Sequence, residues 1–147
     1  MKTTDKVRNF KKKLRNYCKP LRVLVISHFG SRWSENIVKL ASQDDPKTTI
    51  RSLYIKDRGA EEGFWGLTEH QIDALQAQGK PWDVVLLVGF GEVGYLGTSQ
   101  QVREQRLGWS FSKGDYKVHE DRIKGLFRRF ETYDALFSLL FSTPTQN

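Results

Sequence analysis

The stretch that most limits how this chain can fold is WDVVLLVGFGEVGYLGTS, residues 82–99. Val84 to Val88 is an apolar run too short for a helix and β-branched enough for a buried strand. Glycines follow at 89, 91, 94 and 97. Thr98 and Gln101 then have the spacing of a capping box, in which side chains and backbone at a helix start satisfy each other's hydrogen bonds. Strand, glycine turn and helix start, in that order, are how an α/β domain presents backbone N–H groups to an anion.

The remaining segments read as alternating strands and helices. Leu21–Ser27 reads as a strand whose continuous apolar run, Val23 to Ile26, suits a parallel strand covered on both faces. The spacing predicts a helix over Glu35–Gln43, capped by Ser34 and closed by Asp44, Asp45 and Pro46. Thr48–Ile55 reads as a second strand and Lys56–Leu67 as a long glycine-containing loop. Thr68 to Gln71 forms a second capping-box pattern, opening a helix that ends at Gly79. Beyond the glycine stretch come a helix over 99–106, a short strand within Leu107–Ser112 and a turn at Lys113–Asp115. From Tyr116 to Ser142 the apolar spacing is helical, with Thr132 placed to cap a second helix after a break. The fold class this implies is α/β: a single three-layer sandwich with a small, mostly parallel sheet of three or four strands, Rossmann-like or flavodoxin-like. A basic N-terminal helix (residues 1–20) precedes the α/β domain (residues 21–147), whose C-terminus is helical.

Charge is concentrated at one end. Residues 1–22 carry nine basic side chains against Asp5 alone, whereas the other 125 residues carry 15 basic and 16 acidic ones. Val7, Phe10, Leu14 and Tyr17 recur at helical spacing and the cations cover the rest, so the segment reads as an amphipathic helix. Four roles stay open for it: packing on the body, gripping nucleic-acid phosphates through residues 2–22, lying on a membrane surface, or serving as a cleaved organellar presequence, which its lysine excess and lack of serine disfavour. No apolar run approaches the ~20 residues of a spanning helix. The single cysteine, Cys18, and the lack of a secretory pattern at the N-terminus fit a cytoplasmic protein.

In parallel sheets, ligands sit beyond the carboxyl ends of the strands where strand order reverses. With an order of 2-1-3, the loops 28–34 and 89–99 would share that crevice. The candidate ligand-binding residues are Gly30, Ser31, Arg32, Trp33 and Ser34 on one loop, and Gly89, Phe90, Gly91, Gly94, Thr98 and Ser99 on the other. The expected ligand is phosphorylated or nucleotide-like, with a nucleotide or flavin as cofactor. Gly89-x-Gly91-x-x-Gly94 matches the dinucleotide fingerprint, although it follows the third strand and no clear strand leads to an acidic residue twenty positions on. Gly30-Ser31-x-x-Ser34 resembles the phosphate loop of flavodoxin-like FMN proteins. The plainer alternative is a glycine turn that lets a helix pack closely on the sheet. Phe29, Trp33, Phe64, Trp65, Phe90, Tyr95 and Trp109 all fall in or beside loops, where rings can stack on a base or flavin.

Catalytic residues are sparse. His28 ends the first strand, where a general acid or base would reach the crevice. Asp57, Glu61 and Glu62 lie in the long loop. His119, Glu120 and Asp121 are consecutive, so on a helix they would not share a face and make a poor metal set. No zinc spacing, Walker loop or nucleophile elbow occurs. Two further functions compete with small-ligand binding. One is nucleic-acid binding through the basic arm. The other is protein interaction, with ALFSLLF (Ala135–Phe141) buried in the core or forming a homo-oligomer contact through the C-terminal helix.

Overall fold

The computed structural model describes residues 4–28, 33–58, 63–89 and 92–142. Within them the elements follow as α1 (Asp5–Cys18), β1 (Val23–Ser27), β2 (Ile37–Ser42), β3 (Asp45–Asp57), β4 (Phe64–Thr68) and α2 (Glu69–Ala77). Then come β5 (Trp82–Val88), β6 (Val93–Thr98), α3 (Ser99–Gln105), β7 (Ser110–Ser112), β8 (Asp115–His119), α4 (Glu120–Ile123), β9 (Arg128–Phe130) and α5 (Tyr133–Ser142). No described helix is long and apolar enough to cross a membrane.

β5 lies inside a six-stranded sheet of order β1-β2-β3-β5-β6-β9. Trp82, Val84 and Leu86 enter one hydrophobic cluster, Val85 and Leu87 the other. The strand is covered on both sides, which is why its apolar run is unbroken. One face of the sheet packs against α1 and α5, joining Val38, Leu53 and Ile55 to Phe10, Leu14, Leu136 and Phe137. The other packs against α2, α3 and a second sheet of order β4-β8-β7, joining Ile37 and Tyr54 to Trp65, Ile72, Val102 and Val118.

The sheet is not the small, mostly parallel one expected. Only β3 and β5 pair in parallel; β1–β2, β2–β3, β5–β6 and β6–β9 are all antiparallel. The expected helix over Glu35–Gln43 is β2 instead. A helix there would leave the edges of β1 and β3 unpaired, whereas as a strand Ile37 to Ser42 bonds to both. Of Asp44, Asp45 and Pro46, read as a helix stop, Asp44 joins Gln43 in the tight turn of the β2–β3 hairpin, its N–H donating to Ser42 Oγ at 3.2 Å, while Asp45 opens β3 opposite Ser42. The loop expected over Lys56–Leu67 contains β4. The helix expected from Tyr116 begins as β8, whose residues alternate between buried Tyr116 and Val118 and exposed Lys117 and His119. Gly125, at a φ of 76°, then takes the left-handed turn that no continuing helix permits.

Local capping signals held where tertiary pairing did not compete. Thr98 and Gln101 exchange both capping-box hydrogen bonds, at 3.2 and 2.9 Å. Thr132 Oγ1 accepts from the Ala135 N–H at 3.1 Å at the start of α5. Thr68 makes no such bond. The side chain of its partner Gln71 instead accepts from the Ser34 N–H at 3.0 Å, tying the segment after β1 to α2.

Candidate nucleic-acid interface

α1 has two opposed stripes. Val7, Phe10, Leu14 and Cys18 are fully buried in the core. At 100° per residue, Arg8, Lys12, Arg15 and Lys19 fall on the opposite side, and all four are exposed. That cationic stripe covers ~16 Å, about the length of five nucleotides of one strand. Its backing is rigid. Thr4 caps the helix, accepting from the Val7 N–H at 3.3 Å, and donates to Asp57 Oδ1 on β3 at 2.9 Å. Lys11, buried between the stripes, donates to the Glu35 carbonyl at 2.6 Å, and its burial pulls the ammonium pKa below its ordinary value.

The stripe ends in a cleft of about 380 Å³ between the last turn of α1 and β1, walled by Arg15, Asn16, Lys19, Arg22 and Gln43. Val23, Leu24 and Val25 all line it. Three consecutive strand residues point to alternating faces, so the cleft runs along the free edge of β1, the terminal strand of the sheet. Arg22 holds a left-handed φ of 57°, secured by the Gln43 N–H donating to its carbonyl at 2.9 Å and by an ion pair to Asp44 at 2.7 Å.

A second groove, of about 430 Å³, lies between the end of β3 and the outer face of the small sheet. Lys56, Lys113 and Lys117 line it together with Asp57 and Asp115, and Phe64 and Gly66 form part of its floor. Beyond it sits a polar network. Glu120 accepts from Tyr95 Oη and, at 3.2 Å, from Arg58, while Arg129 donates to Tyr95 Oη at 3.1 Å. The tyrosine hydrogen bond, followed by the arginine, holds the Glu120 carboxyl below its usual range. Arg58 also lies over the Trp65 ring at 4.7 Å. Among the described residues no group of three acidic, histidine or cysteine side chains could hold a metal ion.

The expected site residues that fall within the described segments do not gather in one crevice. Gly30, Ser31, Arg32, Phe90 and Gly91 lie outside the described residues, as do Phe29, Glu61 and Glu62. β1, β3 and β5 run in the same direction, so the segments after β1 and β5 leave from one rim. Between them stand β2 and β3, however, which separates them by three strand spacings, roughly 14 Å. Thr98 and Ser99 are at the opposite rim, because β6 returns antiparallel and pairs Thr98 with Asp83 at the start of β5. That is roughly 17 Å from the Val88–Val93 end. Gly89, at a φ of 62°, begins a strand-to-strand turn, not a strand-to-helix one. Gly94 lies within β6, beneath the Phe130 ring.

His28 stacks on Trp33, with ring centroids 4.1 Å apart, and among the described residues its buried Nε2 has no hydrogen-bond partner. Burial, followed by Lys39, lowers its pKa below the ordinary histidine value of 6.5. Of the other loop aromatics, Trp65, Tyr95 and Trp109 are buried in the core. Within the ALFSLLF run, Leu136, Phe137 and Leu140 pack against α1 and the sheet, and Leu139 and Phe141 are partly buried against the same cluster. The reading missed the small sheet and so the outer-face position of Phe64. The polar–apolar alternation of DYKVH, residues 115–119, is the signal that would have found it.

No family model and no curated protein matches the chain. Among solved structures it is similar to Archaeoglobus fulgidus Hjc, a Holliday junction resolvase from an archaeal hyperthermophile. The TM-score is 0.55 at 13% identity, and the match covers 97% of this chain and 100% of that one. The likeness is one of fold. It replaces the Rossmann-like and flavodoxin-like expectation, and with it the small nucleotide, flavin or phosphorylated ligand placed between loops 28–34 and 89–99. The physical reason is the strand order: a mixed sheet with antiparallel β5–β6 creates no switch point there, and no helix starts directly after the glycine turn.

Proposed function

We propose that this chain binds nucleic acid, gripping the phosphate backbone with the solvent face of α1. The observation that carries the reading is the division of α1 into a fully buried stripe and an exposed stripe of Arg8, Lys12, Arg15 and Lys19. A helix fixed so firmly to a sheet presents its cations at set spacings, and a row of phosphates is the natural complement. The cleft lined by Arg15 and Lys19 carries the end of that stripe to the edge of β1. The fold likeness to a Holliday junction resolvase supports the reading and makes four-way junction DNA the first ligand to test.

The test is an equilibrium titration of the full chain with a four-way junction and with linear duplex of the same sequence, at 50 and 200 mM salt. Three phosphate contacts by Lys12, Arg15 and Lys19 correspond to a loss of roughly fortyfold in affinity across that range. The charge-reversed variant K12E/R15E/K19E should lose binding while keeping its unfolding midpoint. Binding indifferent to salt, or retained by that variant, would overturn the reading. Following the labelled junction in the same tubes with added magnesium tells binding alone from strand cleavage.

A further inference from the structure

The small sheet has one face in the core and an outer face on which the β4 residues are only half-buried. Trp65, Leu67, Tyr116 and Val118 point inward and are buried. Phe64, Gly66 and Thr68 of β4 therefore point outward, beside His119, Lys117 and Asp115, their partners on β8. Phe64, half-buried on that outer face, stands outside both core clusters and lines the groove. Lys117 Nζ stands over that ring, 5.5 Å from its centre, and the His119 ring centroid is also 5.5 Å from it. Next to Phe64 along the strand, Gly66 leaves open space: a Cβ there would meet nothing within 4 Å. An aromatic ring beside a glycine gap, in a groove of about 430 Å³ with lysines on its walls, is the form of a base-stacking platform.

We propose that this groove receives one unpaired nucleotide, its base stacked on Phe64 above Gly66 and its phosphate met by Lys56, Lys113 or Lys117. The inference rests on the nucleic-acid reading of α1 and extends it to a second contact. Charge limits the occupant. Three lysines and two aspartates line the groove, a surplus of one positive charge, which suits one phosphodiester and not a run of backbone. Geometry connects the two surfaces, because Asp57 in the groove wall accepts the hydrogen bond from Thr4 that caps α1. A base that is paired and stacked within a duplex cannot reach the ring. The groove thus selects DNA or RNA with a gap, flap or displaced base, while α1 holds any backbone.

The test compares two labelled DNAs, an intact duplex and the same duplex with a short single-stranded gap carrying 2-aminopurine, against the full chain and two variants. Gly66→Leu fills the groove at a position with open space and no left-handed backbone angle, so it should fold normally; Phe64→Ala removes the ring. Both should weaken gapped-DNA binding at least about fivefold and abolish the 2-aminopurine fluorescence change, leaving duplex affinity unaltered. K12E/R15E/K19E should weaken both DNAs alike. If the unmodified chain binds duplex but Gly66→Leu holds gapped DNA as tightly as before, the groove proposal fails and the α1 reading stands. If the unmodified chain binds neither DNA, both fall. Binding of an oligoglutamate peptide that Gly66→Leu abolishes would assign the groove to an acidic protein segment and overturn the proposal.

Discussion

The ring of Phe130 on β9 fills the space that a side chain on Gly94 of β6 would need. The two are cross-strand partners, and an ideal Cβ on Gly94 would sit 2.6 Å from Phe130 Cζ and also overlap the Leu86 carbonyl oxygen. Phe127 does the same to Gly97, with ring carbons 2.5 to 2.8 Å from where a Cβ would be. Two glycines of the stretch at 82–99 thus serve close packing of rings on a strand.

Gly94→Ala should therefore destabilise by about 1–3 kcal/mol through overpacking, and Phe130→Ala by about 3–5 kcal/mol through the cavity it leaves. Urea unfolding midpoints measure both. An unchanged midpoint for Gly94→Ala would mean that β9 does not pair with β6 in solution.

Nucleic-acid affinity should report the cations of α1 one by one. Lys12→Ala, Arg15→Ala and Lys19→Ala should each weaken binding across all sequences and lower the slope of log affinity against log salt by about 1. Leu107→Ala, at an exposed site remote from α1 in sequence, is the control that should leave the slope untouched.

A buried ion pair joins β3 to β5. Asp83, with its side chain 3% exposed, accepts from Arg51 at 21% exposed. Burial pushes the Asp83 carboxyl above its ordinary value, and Arg51 opposes that push. Asp83→Asn or Arg51→Ala leaves a buried group without its partner and should cost about 3–5 kcal/mol, whereas exchanging both for apolar residues of similar volume should cost far less. A double-mutant cycle on denaturant midpoints separates the pair from its parts.

Stability should fall as pH drops below 6.5, in part through His28. Its folded pKa lies below the ordinary value of 6.5, so the unfolded chain takes up the proton first. The stabilisation is complete above 6.5 and is lost as pH falls through the folded value. His28→Phe should flatten the thermal midpoint between pH 6.5 and 5 relative to the unmodified chain. An identical pH profile in the two would rule out this role for the imidazole.

What could be read from the order of residues was whatever depends on near neighbours. The apolar stripe of α1 at 7, 10, 14 and 17, the caps at Thr98 and Thr132, and the buried run at 84–88 each rest on contacts within a few residues. The segregation of charge into residues 1–22 was equally plain, and its placement opposite a buried stripe made the candidate interface partly legible.

Tertiary structure decided what depends on distant partners. Ile37–Ser42 has a pattern that suits either period, and pairing with β1 on one edge and β3 on the other made it a strand. The glycines of 89–97 fit a phosphate cradle or a packed hairpin equally well, until Phe127 and Phe130 arrived from some thirty residues away to fill the space above two of them. The outer face of β4 left only an indirect trace, the alternation at 115–119, because a strand has an outer face only once its inner one meets Val118 and Tyr116 of β8. Local sequence sets backbone preference at a cost of tenths of a kilocalorie per residue, and strand pairing with core burial, worth several, overrules it.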